Sequence, residues 1–293
     1  MSGVVMSRLA PAKINLFLHI TGRRANGYHD LESLFVFADF GDEILIEEGE
    51  GLELDVKGPF AGSLVNSSDN LVLLAAQMLA ETSGKDSYSA RITLIKNLPV
   101  SAGIGGGSSD AAATLLALNQ FWDLGKSKND LAEMAPDLGA DVPACIYGKA
   151  SFVSGIGENV TPLEDFPELA ILMVNPGTGL STAQVFKSLR ESDLEFSPVK
   201  GMPQNLCGST QMEVRNWLES ETRNDLQPAA TSMAPEIGAV LETLELMPGC
   251  LMARMSGSGP TCFALFDIFE DAIGARSLLN SRASWWVQEA LVS

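Results

Sequence analysis

Ile14, Leu16, Leu18 and Ile20 alternate with Asn15, Phe17 and His19, the period-two spacing that buries one face of a strand and half-buries the other, from Lys13 onward. Further strands are predicted at Leu34–Ala38, Glu43–Glu47, Leu52–Val56 and Arg91–Ile95, with Gly41-Asp42 and Gly49-Glu50-Gly51 as turns between them. Connections that short imply antiparallel pairing. The spacing then changes to helical. Leu71, Leu74, Ala75, Met78 and Leu79 form one stripe between the capping run Ser67-Ser-Asp-Asn70 and Gly84, and a second helix is predicted from Ser108-Ser109-Asp110 through Ala111, Leu115 and Leu118 toward Trp122. Leu169–Val174 is continuously apolar, as in a strand buried on both faces. Beyond it, helices are predicted around 183–189, 210–217, 235–244 and 271–279, and strands near 253–255, 262–266 and 285–288. The expectation is a two-domain α+β protein, divided into 1–165 and 166–293.

Composition narrows the function. The 293 residues are 46% hydrophobic and 19% charged, which suits a folded globular chain. A formal net charge of -18 repels polynucleotides and anionic lipid, so no nucleic-acid or membrane partner is expected, and a phosphorylated ligand would need local donors. The four cysteines are scattered and the two histidines, His19 and His29, form no metal-ligand spacing, which argues against disulfides and zinc. No apolar run reaches the ~18–20 residues of a membrane span. The first residues lack the pattern of a secretory signal, so a cytoplasmic protein is expected.

Local donors are on offer between the strand at 91–95 and the following helix. The segment from Asn97 to Asp110 carries glycines at 103, 105, 106 and 107, which let the backbone approach a ligand closely. The helix end adds N–H groups and a positive dipole, suited to a triphosphate. No Gly-Lys-Ser/Thr makes it a Walker A loop, and Ser108 stands where G-x-G-x-x-G needs its last glycine. A flexible linker would account for the composition, but a place between a strand and a strong helix favours phosphate binding.

Phosphoryl transfer to an alcohol needs a carboxylate to take the hydroxyl proton and a cation to offset developing charge. Asp141, in Leu138-Gly-Ala-Asp-Val-Pro143, and Lys13, in Ala10-Pro-Ala-Lys-Ile-Asn15, fit those roles. On the residues alone, Asp141 stands evenly between helix cap and base, and Lys13 reads more readily as a solvated strand end. Asp110 is a rival base that helix-dipole stabilisation also explains.

Taken in order, these segments resemble the GHMP kinase superfamily, with Pro99-x-x-x-Gly-x-Gly-Gly-Gly-Ser-Ser109 as its ATP loop and Met255-Ser-Gly-Ser-Gly-Pro-Thr261 as its C-terminal glycine loop. Pro11-Ala-Lys-Ile-Asn-Leu16, Gly22-x-Arg-x-x-Gly-Tyr-His29, Gly105-Gly-Gly-Ser-Ser-Asp110 and Leu138-Gly-Ala-Asp-Val-Pro143 narrow the likeness to members acting on a cytidine diphosphate-linked methylerythritol. It spans nearly the whole chain and is weakest from Arg190 to Arg223. Ile104, Ser256 and Cys262 depart from the more usual Leu, Thr and Val without removing a donor or a charge.

The resemblance implies a two-domain GHMP kinase fold, with an N-terminal domain like domain 2 of ribosomal protein S5 and a smaller ferredoxin-like C-terminal domain. It implies ATP, with Mg²⁺, on Pro99, Val100, Ser101, Ala102, Gly103, Ile104, Gly105, Gly106, Gly107, Ser108 and Ser109, the last also a candidate metal ligand. Lys13 and Asp141 would be catalytic. Tyr28 would stack on the cytosine, His29 would hydrogen-bond it, and Phe186 would be a second stacking face, with core packing as its alternative. Asn15 and Thr182 would touch polar groups of the substrate. The implied activity is ATP-dependent phosphorylation of that substrate's 2-hydroxyl, in non-mevalonate isoprenoid precursor synthesis, by a cytoplasmic monomer or weak homodimer. Asn224-Asp-Leu226 also resembles a family segment, but no physical argument assigns it a role.

Overall fold

A computed structural model describes residues 6–64, 70–84, 88–191, 195–203, 206–279, 282 and 284–293. The chain gathers into two units, neither continuous in sequence: Met1–Ala12, Phe40–Val100 and Gly105–Gly148 form the first, and Lys13–Asp39, Ser101–Ile104 and Lys149–Ser293 the second. Two long strands, β1 (Met6–Arg23) and β2 (His29–Glu47), give residues to both.

Both strands correct an expectation. Leu34–Ala38 and Glu43–Glu47 are parts of the single strand β2, so Gly41-Asp42 is not a turn. Gly41 serves proximity instead, because a Cβ there would lie 2.0 Å from the Ala10 carbonyl oxygen. β1 begins before Lys13, and every residue from Ala12 to Ile20 is buried, so the strand expected to be half-buried has no solvent face there. Lys13, Asn15 and His19 are therefore polar groups inside a core, where each requires a partner.

In the first unit, the end of β2 pairs antiparallel with β4 (Ala90–Ile95), and β4 pairs in parallel with β3 (Leu52–Lys57). β2 and β3 are thus not neighbours, so the antiparallel pairing expected across the short Gly49-Glu50-Gly51 connection does not form, and β3 joins β4 in a parallel pair instead. Helix α1 (Leu71–Thr82) is the crossover that makes it possible. Asn70 caps α1 by accepting the Val72 N–H at 2.9 Å; the rest of the expected capping run, Ser67–Asp69, lies outside the described residues. α1 packs on α2 (Gly106–Phe121), the buried Val72, Ala75, Ala76 and Leu79 of one helix serving the same core as Ala111, Leu115 and Leu118 of the other. Two short helices follow, α3 (Lys128–Met134), closed by a Ser127/Asp130 capping box, and α4 (Val142–Tyr147).

In the second unit, β5 (Ser151–Gly155) pairs with the first part of β2 and with β6 (Asn159–Pro162). The expected fully buried strand is β7 (Leu169–Asn175), buried at every residue. It runs antiparallel between β10 (Trp286–Val292) and β9 (Cys262–Phe266), and β8 (Cys250–Met255) pairs outside β9. Helices α5 (Thr182–Arg190), α7 (Gln227–Met233), α8 (Glu236–Glu245) and α9 (Phe269–Leu279) close the core with Val185, Ala230, Val240 and Ala275, while α6 (Gln211–Glu221) begins at a Thr210/Glu213 capping box. Among the described residues no helix is long and apolar enough to cross a membrane.

Candidate active site

The glycine segment meets α2 in the first unit. Gly105 is the N-cap, in the left-handed region at φ 64°, and no side chain caps the helix. The first backbone bond into α2 runs from the Ser109 N–H to the Gly105 carbonyl at 2.8 Å, so the N–H groups before it have no intrahelical partner, the feature an anion site would use. Ser108 and Ser109 were expected to cap, but the helix starts before them, and the Ser109 hydroxyl donates to the Pro11 carbonyl at 2.6 Å.

Beneath this helix end lies a buried trio. Lys96 Nζ donates to Asp110 Oδ2 at 2.7 Å and to Asp42 Oδ2, while Asp42 Oδ1 accepts the N–H groups of Asn97 at 2.6 Å and Leu98 at 2.8 Å. A Cβ on Gly106 would come within 3.0 Å of Lys96 Nζ, so the lysine sits directly under the first residue of α2. One ammonium serves two buried carboxyl groups, and Asp110 Oδ1 has no hydrogen-bond partner among the described residues. Burial, with Asp42 beside it, pushes Asp110 up to about 8 despite Lys96. Burial alone would lower Lys96, but Asp110 and Asp42 outweigh it and the net shift is upward. Asp110, the rival base, is thus committed to Lys96, and burial rather than the helix dipole governs it.

Asp141 stands at the N-cap of α4 at φ -84°, behind Gly139 at φ 152° and ahead of Pro143. Its side chain makes no capping bond. The cap reading is therefore right about position and wrong about the carboxylate.

The second unit holds the other candidates. Lys13 is 4% exposed, which overturns the solvated strand end. Its Nζ donates to Asn15 Oδ1 at 2.7 Å and lies 4.2 Å over the centre of the Phe35 ring, and its N–H donates to the Ile104 carbonyl at 2.9 Å. Asn15 is pinned in turn: Nδ2 donates to Ser33 Oγ at 2.9 Å and the N–H donates to Ser256 Oγ at 3.1 Å. Ser256 Oγ donates onward to the Gly103 carbonyl at 3.1 Å, and the Thr261 N–H donates to the Ala102 carbonyl at 3.2 Å. The C-terminal glycine loop thus lies against Ser101–Ile104. Gly103, at φ 73°, admits this approach, since a Cβ would lie 2.5 Å from the Gly259 carbonyl oxygen. Ser101 holds a left-handed φ of 54° without being glycine, a strain of about 1–3 kcal/mol that the packed loop sustains.

His29 and Phe186 come together, stacked at 5.4 Å between ring centres and 28° between planes. That is less than the about 7 Å a base would need to lie between them, so a cytosine would use an outer face. Burial, with Arg23 and Arg190 nearby, holds the His29 imidazole below its usual range, so it is neutral at pH 7 and offers one donor and one acceptor. Tyr28 is 61% exposed, accessible for stacking. Thr182, the first residue of α5, shares a 2.7 Å hydroxyl contact with Ser258 of the glycine loop. Among the described residues no three His, Cys, Asp or Glu side chains cluster as metal ligands.

Sequence reasoning missed Lys96, Asp42 and Ser33. Only Asp42 left a signal, misread as a turn residue beside Gly41.

The family model described as GHMP kinases N terminal domain matches residues 70–149, and that described as GHMP kinases C terminal matches 204–282. A 4-diphosphocytidyl-2-C-methyl-D-erythritol kinase of Parvibaculum lavamentivorans is 45% identical over 289 residues, covering 98% of this chain and 98% of that protein. One of Rhodospirillum rubrum is 46% identical over 278 residues, covering 94% and 89%. A solved 4-(cytidine 5'-diphospho)-2C-methyl-D-erythritol kinase superposes with a TM-score of 0.79 at 31% identity, covering 98% of this chain and 99% of that one. Homoserine kinase from Cytophaga hutchinsonii, at 20% identity and a TM-score of 0.74 over 100% and 96% of the two chains, shares the fold.

Proposed function

The chain belongs to the GHMP kinase family, and on that premise we propose that it transfers the γ-phosphoryl group of ATP to the 2-hydroxyl of 4-diphosphocytidyl-2-C-methyl-D-erythritol. The observation that carries the reading is 45% identity, over 98% of the chain, to a kinase of that name. The neutral His29 beside Phe186 and the exposed Tyr28 supply the chemistry a cytosine needs.

In this reading the uncapped start of α2 and the glycines around it bind the ATP phosphates through backbone N–H groups. Ser109 is the candidate to hold Mg²⁺, its hydroxyl oxygen keeping lone pairs while donating to Pro11, and a bound ion, needing only one or two protein ligands, would neutralise charge on those phosphates. Asp141 takes the proton of the 2-hydroxyl as that oxygen attacks. Lys13, held by Asn15, offsets the charge developing on the transferred group. The new O–P bond forms in line with the bond that breaks to ADP, with no phosphoenzyme, and the proton on Asp141 passes to solvent.

The test is ATP consumption by the purified protein with magnesium and the cytidine substrate, beside homoserine and mevalonate. Turnover with the cytidine compound alone is expected. Turnover only with another alcohol would keep the kinase chemistry and sink the substrate assignment.

A further inference from the structure

The segment Asn224-Asp-Leu226 lies along β1, with the Leu18 N–H donating to the Arg223 carbonyl at 3.0 Å and the Asp225 N–H donating to the Leu18 carbonyl at 2.8 Å. Asn224 is 5% exposed, and both its amide hydrogens and one lone pair of its carbonyl oxygen are engaged. Oδ1 accepts the Leu226 N–H at 2.9 Å, and Nδ2 donates to the carbonyls of Met255 at 2.7 Å and Gly257 at 2.8 Å. Those two acceptors flank Ser256, whose hydroxyl bridges the Asn15 N–H and the Gly103 carbonyl. A Cβ on Gly257 would lie 3.0 Å from both Asn15 Oδ1 and the Gly103 carbonyl oxygen, so the loop has no slack at this point. Asn15 Oδ1 in turn accepts from Lys13 Nζ.

We propose that Asn224 is a positioning residue for phosphoryl transfer: its amide fixes the two carbonyls on either side of Ser256, and through Ser256 the register of Gly103, Asn15 and Lys13. The argument rests on the kinase reading for the role of Lys13. Only a primary amide of this length offers two donors to the loop and one acceptor to Leu226 from a single rigid plane. A carboxylate would turn both loop contacts into repulsions, and alanine would leave two buried carbonyls unpaired.

The experiment is a double-mutant cycle of Asn224→Ala and Ser256→Ala in the full chain. It reads kcat with the cytidine substrate, affinity for a non-hydrolysable ATP analogue by calorimetry, and affinity for CDP as a probe of the His29–Phe186 end. Asn224→Ala is expected to lower kcat by about 10–100-fold and weaken the ATP analogue several-fold, with CDP affinity within twofold of wild type. Combined with Ser256→Ala, its effect on kcat should shrink, because both act through one chain of bonds. Unchanged kcat and ATP affinity, additive effects, or a parallel loss of CDP affinity that marks general loosening would each overturn the proposal. If Asn224→Ala does not fold, Asn224→Asp, which keeps the acceptor for Leu226, takes its place in the cycle with the same expectations. No turnover by wild type would count against the substrate reading, while the calorimetric comparison would still decide whether Asn224 positions Gly103.

Discussion

At the start of α2 the groups that a ligand would meet in the proposed reading are backbone N–H groups, behind a left-handed Gly105 that carries no side-chain cap. Around Lys13 and His29 they are side chains, buried in strands and held by other side chains. In the proposed reading the first arrangement would bind charge and depends on backbone shape, which glycine conformations and the buried Lys96 trio maintain from behind. The second would bind the acceptor and depends on which atoms each side chain presents. Substitutions should therefore separate into those that damage the scaffold or the nucleotide site and those that damage acceptor recognition alone.

The largest effect on the backbone side should come from Lys96→Met. It leaves Asp42 buried without its cation and Asp110 without its hydrogen-bond partner, a loss of about 3–5 kcal/mol, read as a melting point lower by about 10 °C. A melting point near that of wild type would mean the trio does not support the helix end. On the side-chain side, His29→Ala should raise KM for the cytidine-bearing acceptor by about 10–30-fold, a loss of about 1.4–2 kcal/mol in hydrogen bonding and stacking, with KM for ATP within twofold. Equal rises in both constants would dissolve the contrast. The smallest effect is a pH slope. Asp110 binds its proton more tightly folded than unfolded, so its contribution is complete below its ordinary value of 3.8 and is lost as pH rises toward about 8. Wild type should therefore lose a few degrees of melting point relative to Asp110→Asn between pH 5 and 8, and parallel melting curves would show that the carboxylate is not held protonated.

Periodicity made most elements legible, because a core face repeats along the chain: β7, α1 and α8 lie where apolar spacing puts them. Strand order was not legible, since the short Gly49-Glu50-Gly51 connection pointed to β2 and β3 as an antiparallel pair, whereas β4 lies between them and runs parallel to β3. Gly41 was read for conformational freedom when it serves a close approach to Ala10. In the candidate site, the motif residues were singled out because they stand in short ordered runs. Ser33 and Lys96 were not, and Ser256 and Asn224 were named without a role, because all four meet their partners across long sequence separations. Asp141 shows the limit most clearly: a helix N-cap and a base occupy the same sequence context, and what the structure adds is that the side chain makes no capping bond.

The measurement that bears most directly on the account is the single-turnover rate of phosphoryl transfer by Asp141→Asn, taken with its affinity for ATP. If the carboxylate accepts the 2-hydroxyl proton while the backbone holds the nucleotide, the rate should fall by about a thousandfold and ATP affinity should stay within threefold of wild type. A rate within tenfold of wild type would contradict the assignment of Asp141 as the base.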